Sequence, residues 1–440
     1  MDIYASVAVT IFIASYVLIA TEKVHKVAAA LGGVACILIL GLFRPAGPII
    51  SAESAFYDER TGVDWRVVFL LFGMMIVVSV LRHTGLFEFI ALWAVRFSGG
   101  SQLRLLFVLT FVVAFFSPIL DNVTIVLLVT PITLSVCRRL KVSPFPYLMT
   151  LIFAANVGGI ATLIGDPPNL IIGLRAGLSF NDFIFHSLPL AVILLGVLLL
   201  AVSIVFRKQL RTPIDVEDAL GDLNPSDAIP NVRLLLACLL ILVGITVLFC
   251  LHSVINLDPS LVAMLGAGTM VVVSKTKPKE FLREVEWMTL AFFMSLFVLV
   301  GSLVEVGVIT QLGEMAADLM GDNLMAGVTG LLFGSGVLGA VVDNVPYTTA
   351  MVPIVEQMVA STGQLSADNP LWWAFVFGAD LGGNTTAVAA GANVVVLGLA
   401  AGAGQPISFW KFTKYGIPFT FLTLGVAWLY VWLRYFVLFV

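Results

Sequence analysis

Four aspartates interrupt stretches of the chain that are otherwise apolar: Asp121, Asp166, Asp343 and Asp380. A charged side chain at the centre of a bilayer costs at least about 2.5–3.5 kcal/mol, so such residues are by default functional. Carboxylates in this setting bind cations, exchange protons or accept hydrogen bonds from a polar solute. We therefore expect these four aspartates to mark a binding site and to supply the proton-coupling group.

Neutral polar side chains accompany the aspartates and extend this candidate site. An asparagine amide both donates and accepts hydrogen bonds, and a threonine hydroxyl does the same. The substrate- or ion-binding candidates of this kind are Asn122, Thr124, Asn169, Asn344, Thr348, Asn384, Thr385, Thr386 and Asn393. The alternative for each is that it only satisfies backbone groups that a nearby helix break leaves free.

Residues that break helices stand beside the aspartates. Asp166 is preceded by Gly165 and followed by Pro167 and Pro168, which remove two backbone donors. The equivalent stretch of the second half breaks at Gly391 instead. Unwound backbone at membrane depth is tolerated only where it is buried in protein or lines a cavity. The breaks are therefore expected to converge on one polar site near the midplane.

The composition identifies lipid as the solvent for most of the chain. Of the 440 residues, 60% are hydrophobic and 11% are charged, whereas a soluble domain carries roughly 25% charged residues. The formal net charge of −4 leaves no basic footprint for nucleic acid. The four cysteines are scattered and form no Cys/His cluster, so neither a metal site nor a disulfide framework is expected. These features exclude a cytosolic enzyme and a secreted disulfide-rich domain.

The chain contains two halves that resemble each other. The Asp-Asn pair that begins at Asp121 recurs at Asp343. The motif Asn-Val-Gly-Gly-Ile-Ala-Thr at Asn156 recurs, at almost the same offset along the chain, as Asp-Leu-Gly-Gly-Asn-Thr-Thr at Asp380. Each half is expected to have five crossings and one hairpin, and an odd number of crossings inverts the second half. The predicted fold is an all-α polytopic membrane protein with two inverted-topology repeats, the architecture of secondary transporters.

The apolar runs set the predicted boundaries. The runs 103–136 and 324–358 are too long for one crossing and short for two with a loop, so each is interpreted as a re-entrant hairpin. The first repeat covers 1–206, with scaffold spans in 3–97, a hairpin and broken helix in 103–178 and a closing span at 188–206. A linker covers 207–231. The second repeat covers 232–440, with scaffold spans in 232–320, a hairpin and broken helix in 324–402 and a closing span at 417–440.

The basic residues set the predicted orientation in a cytoplasmic membrane. They flank the spans, as Lys26 and Arg82 do, and placing them inside satisfies the positive-inside rule with few exceptions. The linker then lies inside, and the N-terminus, the C-terminus and the acidic segment 45–63, with Glu59, lie outside. Acidic residues occupy the middle of the linker: Asp215, Glu217, Asp218, Asp222 and Asp227.

The motifs resemble those of a known superfamily. The sequences from Asn156 to Thr162 and from Gly165 to Asn169 closely resemble arsenite permeases and melanocyte P-protein-like permeases, a branch of the ion transporter superfamily. The Asp-Asn pairs resemble the two hairpin tips of that branch, whereas the dicarboxylate branch carries Ser-Asn-Thr there. The resemblance implies a transport domain of hairpins and broken helices that moves against a scaffold domain. It also implies a homodimer formed through the scaffold.

The predicted function follows from the charges. We see no intramembrane lysine or arginine that would offset the four carboxylates, and one like-charge pair about 4 Å apart costs about 4 kcal/mol at an effective dielectric near 20. A neutral hydroxylated solute or a cation is easier to accommodate than a dianion, and desolvation favours the protonated form of at least one carboxyl. We therefore expect proton-coupled efflux of arsenite or antimonite.

Two alternatives from the same superfamily stay open: a sodium/proton antiporter and a sodium-coupled anion or carboxylate transporter. A gated channel and an intramembrane enzyme fit the duplicated motifs less well. No phosphate-cradling GxxxxGK[ST] motif occurs, so ATP-driven transport would need an external ATPase subunit. The expected partners are a small inorganic solute or ion and the lipid bilayer, with no cofactor beyond the coupling proton or sodium.

Overall fold

The computed structural model describes residues 3–21, 24–42, 49–58, 61–214, 224–321 and 323–438, and these residues are all-helical, without a strand. The acidic residues Glu59, Asp215, Glu217, Asp218 and Asp222 lie outside the described residues. The first half contains α1 (Ile3–Thr21), α2 (Lys26–Leu42), α3 (Ala52–Tyr57), α4 (Trp65–Arg82), α5 (Leu86–Ser98), α6 (Gln102–Leu120), α7 (Asn122–Arg139), α8 (Phe145–Gly159), α9 (Pro167–Ala176), α10 (Phe180–His186) and α11 (Leu188–Val205).

The second half repeats this order after a short 3₁₀ helix at Pro225–Ala228, except that no described helix corresponds to α10. It contains α12 (Val232–Ile255), α13 (Pro259–Ser274), α14 (Pro278–Glu284), α15 (Trp287–Glu305), α16 (Val308–Met320), α17 (Leu324–Leu338), α18 (Asn344–Ser361), α19 (Pro370–Gly382), α20 (Gly391–Gly402) and α21 (Phe409–Leu433). A single π-helical turn, Arg434–Leu438, follows α21.

The two halves pack into each other in an exchanged pattern. Helix α2 packs against α15 of the other half, and the equivalent α13 packs against α4. In the same way α7 contacts α20, and α18 contacts α9. Within each half the two legs of the hairpin, α6 and α7 or α17 and α18, pack against the first part of the broken helix, α8 or α19. This reciprocity is what a pseudo-two-fold relation between two repeats produces.

Eight of the described helices are long and apolar enough to cross a membrane. They include both legs of the first hairpin, α6 with 19 residues and α7 with 18 residues. By length and composition alone, each leg of the first hairpin could therefore cross the bilayer, and the re-entrant arrangement stays a prediction. Both legs reach this length because the turn consumes a single residue, Asp121, whose φ of +65° lets α7 begin directly after α6 ends. In the second hairpin α17 has 15 residues.

Two amphipathic helices of 13 residues, α5 and α16, connect the scaffold spans to the hairpins. Each begins after a glycine in the left-handed region, Gly85 with φ +75° and Gly307 with φ +73°. These two glycines are related by the same offset along the chain as Asp121 and Asp343. A side chain at Gly85 would also collide with the backbone oxygen of Ala228, since an added Cβ would lie 1.8 Å from it.

The linker is attached to the first half, and the closing helix begins earlier than expected. The described ends of the linker are attached to the first half: Ile214 N donates to Gly100 O at 2.9 Å, and Gln102 Nε2 donates to Thr212 O at 2.8 Å. The closing helix begins at Phe409 rather than at 417, because Ser408 caps it through the backbone N–H of Lys411. The two lysines of its first turns therefore lie on the helix and not before it.

Candidate functional site

The first hairpin tip holds its carboxylate by helix capping. Asp121 caps α7: its Oδ1 accepts from Thr124 N at 2.8 Å, and its Oδ2 accepts from Thr124 Oγ1 at 2.6 Å. A carboxylate at a helix N-terminus is stabilised both by these bonds and by the positive end of the helix dipole. Both oxygens of Asp121 therefore have a partner within the tip itself.

The second hairpin tip holds the equivalent carboxylate differently. Asp343 caps α18 through one bond, from Val345 N to Oδ1 at 3.1 Å. Pro346 follows Asp343 at the same spacing at which Thr124 follows Asp121, and it supplies neither an N–H nor a hydroxyl. The second oxygen, Oδ2, instead lies 3.5 Å from Nζ of Lys26.

The first helix break is braced by an asparagine. Helix α8 ends at Gly159 and α9 begins at Pro167. Asn169 uses both amide hydrogens to bridge the break, because Nδ2 donates to Gly159 O and to Thr162 O, each at 3.0 Å. The two prolines occupy the first turn of α9, where a missing N–H leaves no bond unmade, so they start the second helix rather than interrupt one.

The second helix break repeats this geometry. Asn393 Nδ2 donates to Gly383 O at 2.7 Å and to Thr386 O at 2.8 Å. The hydroxyl of Thr386 donates to Ala340 O at 2.8 Å. Thr385 Oγ1 donates to Thr420 Oγ1 of α21 at 3.0 Å. These donors serve the protein itself, which is the alternative that was left open for the asparagines and threonines.

Each hairpin tip docks onto the break of its own half through the backbone. Asn122 N donates to Gly165 O at 3.0 Å, and Asn344 N donates to Ala389 O at 3.1 Å. Within the first break, Gly165 lies so close to the end of α8 that an added Cβ would lie 2.4 Å from Gly159 O. The unwound segments and the tips therefore form one continuous polar layer.

Buried amides connect the two halves across this layer. Asn122 Nδ2 donates to Asp166 Oδ2 at 2.6 Å and to Asn156 Oδ1 at 3.1 Å. Asn156 Nδ2 in turn donates to Asn384 Oδ1 of the second half at 3.0 Å. All four side chains are buried. The hydrogen-bond chain thus runs from the first hairpin tip into the second break.

Asp380 is fully buried beside this chain. The amide of Asn169 faces its carboxyl. Within the described part of the chain, neither carboxylate oxygen of Asp380 has a hydrogen-bond partner of normal geometry, and the same holds for Asn122 Oδ1 and Asn169 Oδ1. The carboxyl of Asp166 lies in the fields of Asp380, Asp121 and Asp343. The amide nitrogens of Asn344 and Asn384 also lack a partner there. The carboxyl of Asp380 is therefore buried without a donor in place, which suits a bound proton or cation.

A cavity of about 280 Å³ opens onto the polar layer. The residues predicted from the sequence that line it are Asp121, Asn122, Thr124, Asp166, Pro167, Asp343, Asn344 and Gly391. The predicted residues that do not line it are Gly165, Pro168, Asn169, Thr348, Asp380, Asn384, Thr385, Thr386 and Asn393. Thr348 is buried, and its hydroxyl has no hydrogen-bond partner among the described residues.

The cavity also has a cationic group, which corrects the expectation that no lysine offsets the carboxylates. Lys26, at the start of α2, lines the cavity, pairs with Asp343 and lies over the ring of Phe292 at 5.1 Å. Sequence reasoning assigned this lysine to the membrane edge, because it flanks an apolar run. Glu286 and Thr289 also line the cavity and were not predicted, with Thr289 Oγ1 donating to Glu286 Oε2 at 2.9 Å.

The cavity is accessible from one end of the molecule. It shares Lys26 and Asp343 with a neighbouring cavity of about 240 Å³ that His25 also lines. It shares Thr124 and Glu286 with a smaller cavity of about 40 Å³ that reaches Arg82. The open end is thus the end at which α2 begins and α4 finishes.

At the opposite end the described residues pack tightly. Nine residues beyond Phe292, or about 14 Å along α15, Gly301 packs so closely on the loop before α4 that an added Cβ would lie 1.6 Å from Thr61 O. The cavity there, lined by Arg175 and Thr349 among others, measures about 10 Å³, which is room for at most about one water. Among the described residues, the molecule is therefore open on one side of the polar layer and tightly packed on the other.

The helical repeats, the broken helices and the one-sided cavity define a membrane transporter. The chain belongs to the CitMHS family, described as citrate transporter, whose family model matches residues 16–378. The predicted membership of the ion transporter superfamily is confirmed. The family and the relatives are transporters, and the chain is not an enzyme.

The relatives in sequence extend over nearly the whole chain. The chain is 46% identical to a 46 kDa membrane protein of Mycobacterium leprae, with 98% of this chain and 99% of that protein covered. It is 47% identical to an uncharacterized transporter of Mycobacterium tuberculosis, with the same coverage. It is 30% identical to the human P protein, with 98% of this chain and 60% of the P protein covered.

Two solved structures share the fold. The structure of MtrF from Neisseria gonorrhoeae, described as illuminating a class of antimetabolite efflux pumps, matches with a TM-score of 0.59 at 10% identity over 100% of this chain and 96% of that one. The YdaH transporter of Alcanivorax borkumensis matches with a TM-score of 0.53 at 15% identity over 99% of both chains. At these identities the likeness concerns the fold alone.

Proposed function

We propose that this transporter works by alternating access and couples the export of a small neutral hydroxylated solute, arsenite or antimonite, to proton entry. The observation that carries the proposal is a one-sided cavity of about 280 Å³ lined by Asp121, Asp166 and Asp343 and backed by the buried Asp380. The coupling group belongs among these four carboxyls. The pathway crosses the cytoplasmic membrane, with the linker inside and both termini outside.

The charges support a neutral solute over a dianion. The carboxylates of Asp121, Asp166, Asp343 and Glu286 line the cavity against one ammonium, and that ammonium already pairs with Asp343. An unpaired anion would face repulsion of about 4 kcal/mol for each carboxylate about 4 Å away at an effective dielectric near 20. Arsenite and antimonite are uncharged trihydroxides at neutral pH. Their hydroxyls can donate to the carboxylates and accept from the asparagine amides.

The unsatisfied acceptors support proton coupling. Protonation of Asp380 would give a donor to a layer in which Asn122 Oδ1, Asn169 Oδ1 and both oxygens of Asp380 have no partner among the described residues. A buried acceptor left without a donor costs about 1–3 kcal/mol, so proton binding here is favourable. Proton exchange at a buried carboxyl, gated by access from one side, is what a proton-coupled transporter requires.

Sodium/proton antiport is the second candidate, because the same free oxygens form a ligand set. Hard cations prefer carboxylate and amide oxygens, and the acceptors of Asn122, Asn169 and Asp380 are buried without donors among the described residues. Sodium-coupled carboxylate transport is the third, supported by the family description and by Lys26. We also propose a homodimer formed through the scaffold segments, as the superfamily resemblance implies.

One assay separates these functions. Everted membrane vesicles with an imposed proton gradient are given arsenite, sodium or citrate, and solute accumulation and gradient dissipation are measured. Saturable arsenite accumulation without a sodium response supports the proposal. Gradient dissipation by sodium alone identifies the antiporter, and sodium-dependent citrate accumulation identifies the carboxylate carrier. Either result rejects arsenite export.

The site is tested in the same vesicles. Asp121→Asn and Asp343→Asn keep the shape of the side chain and remove its charge, and we expect both to abolish coupled transport while the protein remains folded. The exposed Asp318 of α16 provides the control Asp318→Asn. Normal turnover in both site variants would remove the hairpin tips from the mechanism.

A further inference from the structure

The ion pair between Lys26 and Asp343 joins two parts of the molecule that the sequence assigns to different domains. Lys26 begins α2, a scaffold span, and its side chain lies over Phe292 of α15, another scaffold span. Asp343 forms the tip of the second hairpin, in the segment assigned to the transport domain. The Nζ–Oδ2 distance is 3.5 Å. The pair therefore spans the boundary across which the transport domain is expected to move.

The tip of the second hairpin is built so that Asp343 needs an outside partner. In the first tip, Thr124 supplies both an N–H and a hydroxyl to Asp121. Pro346 stands at the equivalent place in the second tip and supplies neither. The described residues give Asp343 Oδ2 one charged partner, Lys26. The two side chains are 43% and 16% exposed, so water and solutes in the cavity can reach the pair.

We propose that Lys26 is a tethered cation for Asp343. Its ammonium neutralises the carboxylate while the cavity is empty, and a coupling cation that binds Asp343 must displace it. Displacement breaks a contact between scaffold and hairpin, so binding releases the transport domain from the open state seen here. The inference rests on the proposed function for the identity of the coupling cation, but the contact itself is independent of the cargo. Lys26 is thus a positioning residue.

A cysteine placed at the tightly packed end of the molecule can report when that end opens. Thr349 lines the closed cavity and is 4% exposed. Its hydroxyl donates to Val345 O of the same helix at 2.9 Å, its one partner among the described residues, so Thr349→Cys is a small change. Vesicles of both orientations carry this cysteine in a background without Cys36, Cys137, Cys238 and Cys250. Reaction with a membrane-impermeant maleimide then measures how often the closed end opens.

We expect Lys26→Gln to accelerate labelling of Cys at position 349 by up to about fivefold, the change expected when a partly exposed ion pair is lost. Lys26→Arg should leave labelling unchanged, and the exchanged pair Lys26→Asp with Asp343→Lys should return it to the wild-type rate. In transport, Lys26→Gln should lower KM for the coupling cation, because its competitor is gone. Lys277→Gln, at an exposed lysine on the same side of the molecule, is the matched control.

Equal labelling of wild type and Lys26→Gln overturns the inference, and so does an equal acceleration by Lys277→Gln. The exchanged pair guards against a folding defect, because a variant that unfolds cannot be rescued by reversing the charges. The labelling assay does not require transport of any cargo. If arsenite is not carried but Lys26→Gln accelerates labelling, the proposed cargo fails and the role of Lys26 stands.

Discussion

The two halves of the molecule keep the same supports and differ in their charges. Asn169 and Asn393 brace the two breaks with the same pair of backbone bonds. The polar groups that they support are not matched, because Asn156 of one half stands where the other has Asp380. The repeat therefore preserves the asparagines that hold the unwound backbone, while the polar side chains beside them have diverged.

The hairpin tips show the same division. Both dock onto a break through the backbone N–H of an asparagine, Asn122 or Asn344. The first tip satisfies its carboxylate internally, through Thr124, and the second leaves it to Lys26. The two tips therefore share their backbone support and differ in the partner of their carboxylate.

The largest effect on transport is expected from Asp166 and Asp380, the two carboxyls that have no carboxyl at the equivalent position of the other half. Asp166→Asn and Asp380→Asn should each reduce coupled transport by about 100-fold or more, because an amide cannot take up and release the coupling proton. Thermal unfolding of the purified protein should not weaken, because each change removes a buried charge. Transport is measured in everted vesicles, with the exposed Asp318→Asn as control. Transport at the wild-type rate by either variant would mean that its carboxyl is structural.

A smaller loss of stability, equal in the two halves, is expected when either asparagine that bridges a helix break is replaced. Asn169→Ala and Asn393→Ala each strand two backbone carbonyls of a break, and each should lower the free energy of unfolding by about 2 kcal/mol or more. The two losses should agree, because the geometry is the same. Thermal unfolding in detergent measures them. Asn181→Ala, which removes a single bond to Cys250 O, is the control and should lose less.

The brace variants test the shared part of the contrast directly. If only one of the two loses stability, the halves do not share their support, and the comparison fails at its simplest point.

Much of this contrast could be predicted from the sequence. The repeat, the hairpins and the breaks are local patterns, because Gly165, Pro167 and the Asp-Asn pairs are recognisable within a few residues. The length of the first hairpin could not be predicted, because a turn of one residue at Asp121 depends on its backbone angle. The direction of each amide is likewise a tertiary property, and Asn169 and Asn393 turn to the backbone rather than to the cavity.

The pairing of Lys26 with Asp343 could not be predicted from the sequence, for a physical reason. The two residues are far apart in the chain, and the exchanged packing of α2 against α15 brings them together. A lysine that begins an apolar run has the same pattern whether it faces lipid headgroups or a cavity. The sequence does indicate that Asp343 needs another partner, because Pro346 stands where the first hairpin tip has Thr124.

Removing the threonine hydroxyl of the first hairpin tip should lower the stability of the protein moderately. Thr124→Val removes the hydroxyl that donates to Asp121 Oδ2 at 2.6 Å. It keeps the hydrogen bond from Thr124 N to Asp121 Oδ1. Loss of one hydrogen bond costs about 1 kcal/mol, so the unfolding temperature should fall measurably. Thr124→Ser keeps the hydroxyl and should retain most of the stability. If the Val and Ser variants unfold alike, the hydroxyl does not hold the first tip.

The smallest effect, and the sharpest test of the contrast, is expected from making the second tip resemble the first. Pro346→Thr offers Asp343 the N–H and hydroxyl that Thr124 offers Asp121, so the carboxylate then has a partner within its own tip. Lys26 would hold it less firmly, and labelling of Cys at position 349 should rise about twofold, within the range for a partly exposed ion pair. Pro346→Val removes the proline without adding a hydroxyl and is the matched control.

The decisive measurement is the combination with Lys26→Gln. If the new hydroxyl and the ammonium compete for the same oxygen, the two changes act on one contact, and their effects on labelling must fall short of additive. In the Pro346→Val background Lys26→Gln should keep its full effect, because Asp343 still depends on the lysine. Additive effects with threonine would mean that the two groups act on different contacts, and the difference between the hairpin tips would then not be the reason that Lys26 is needed.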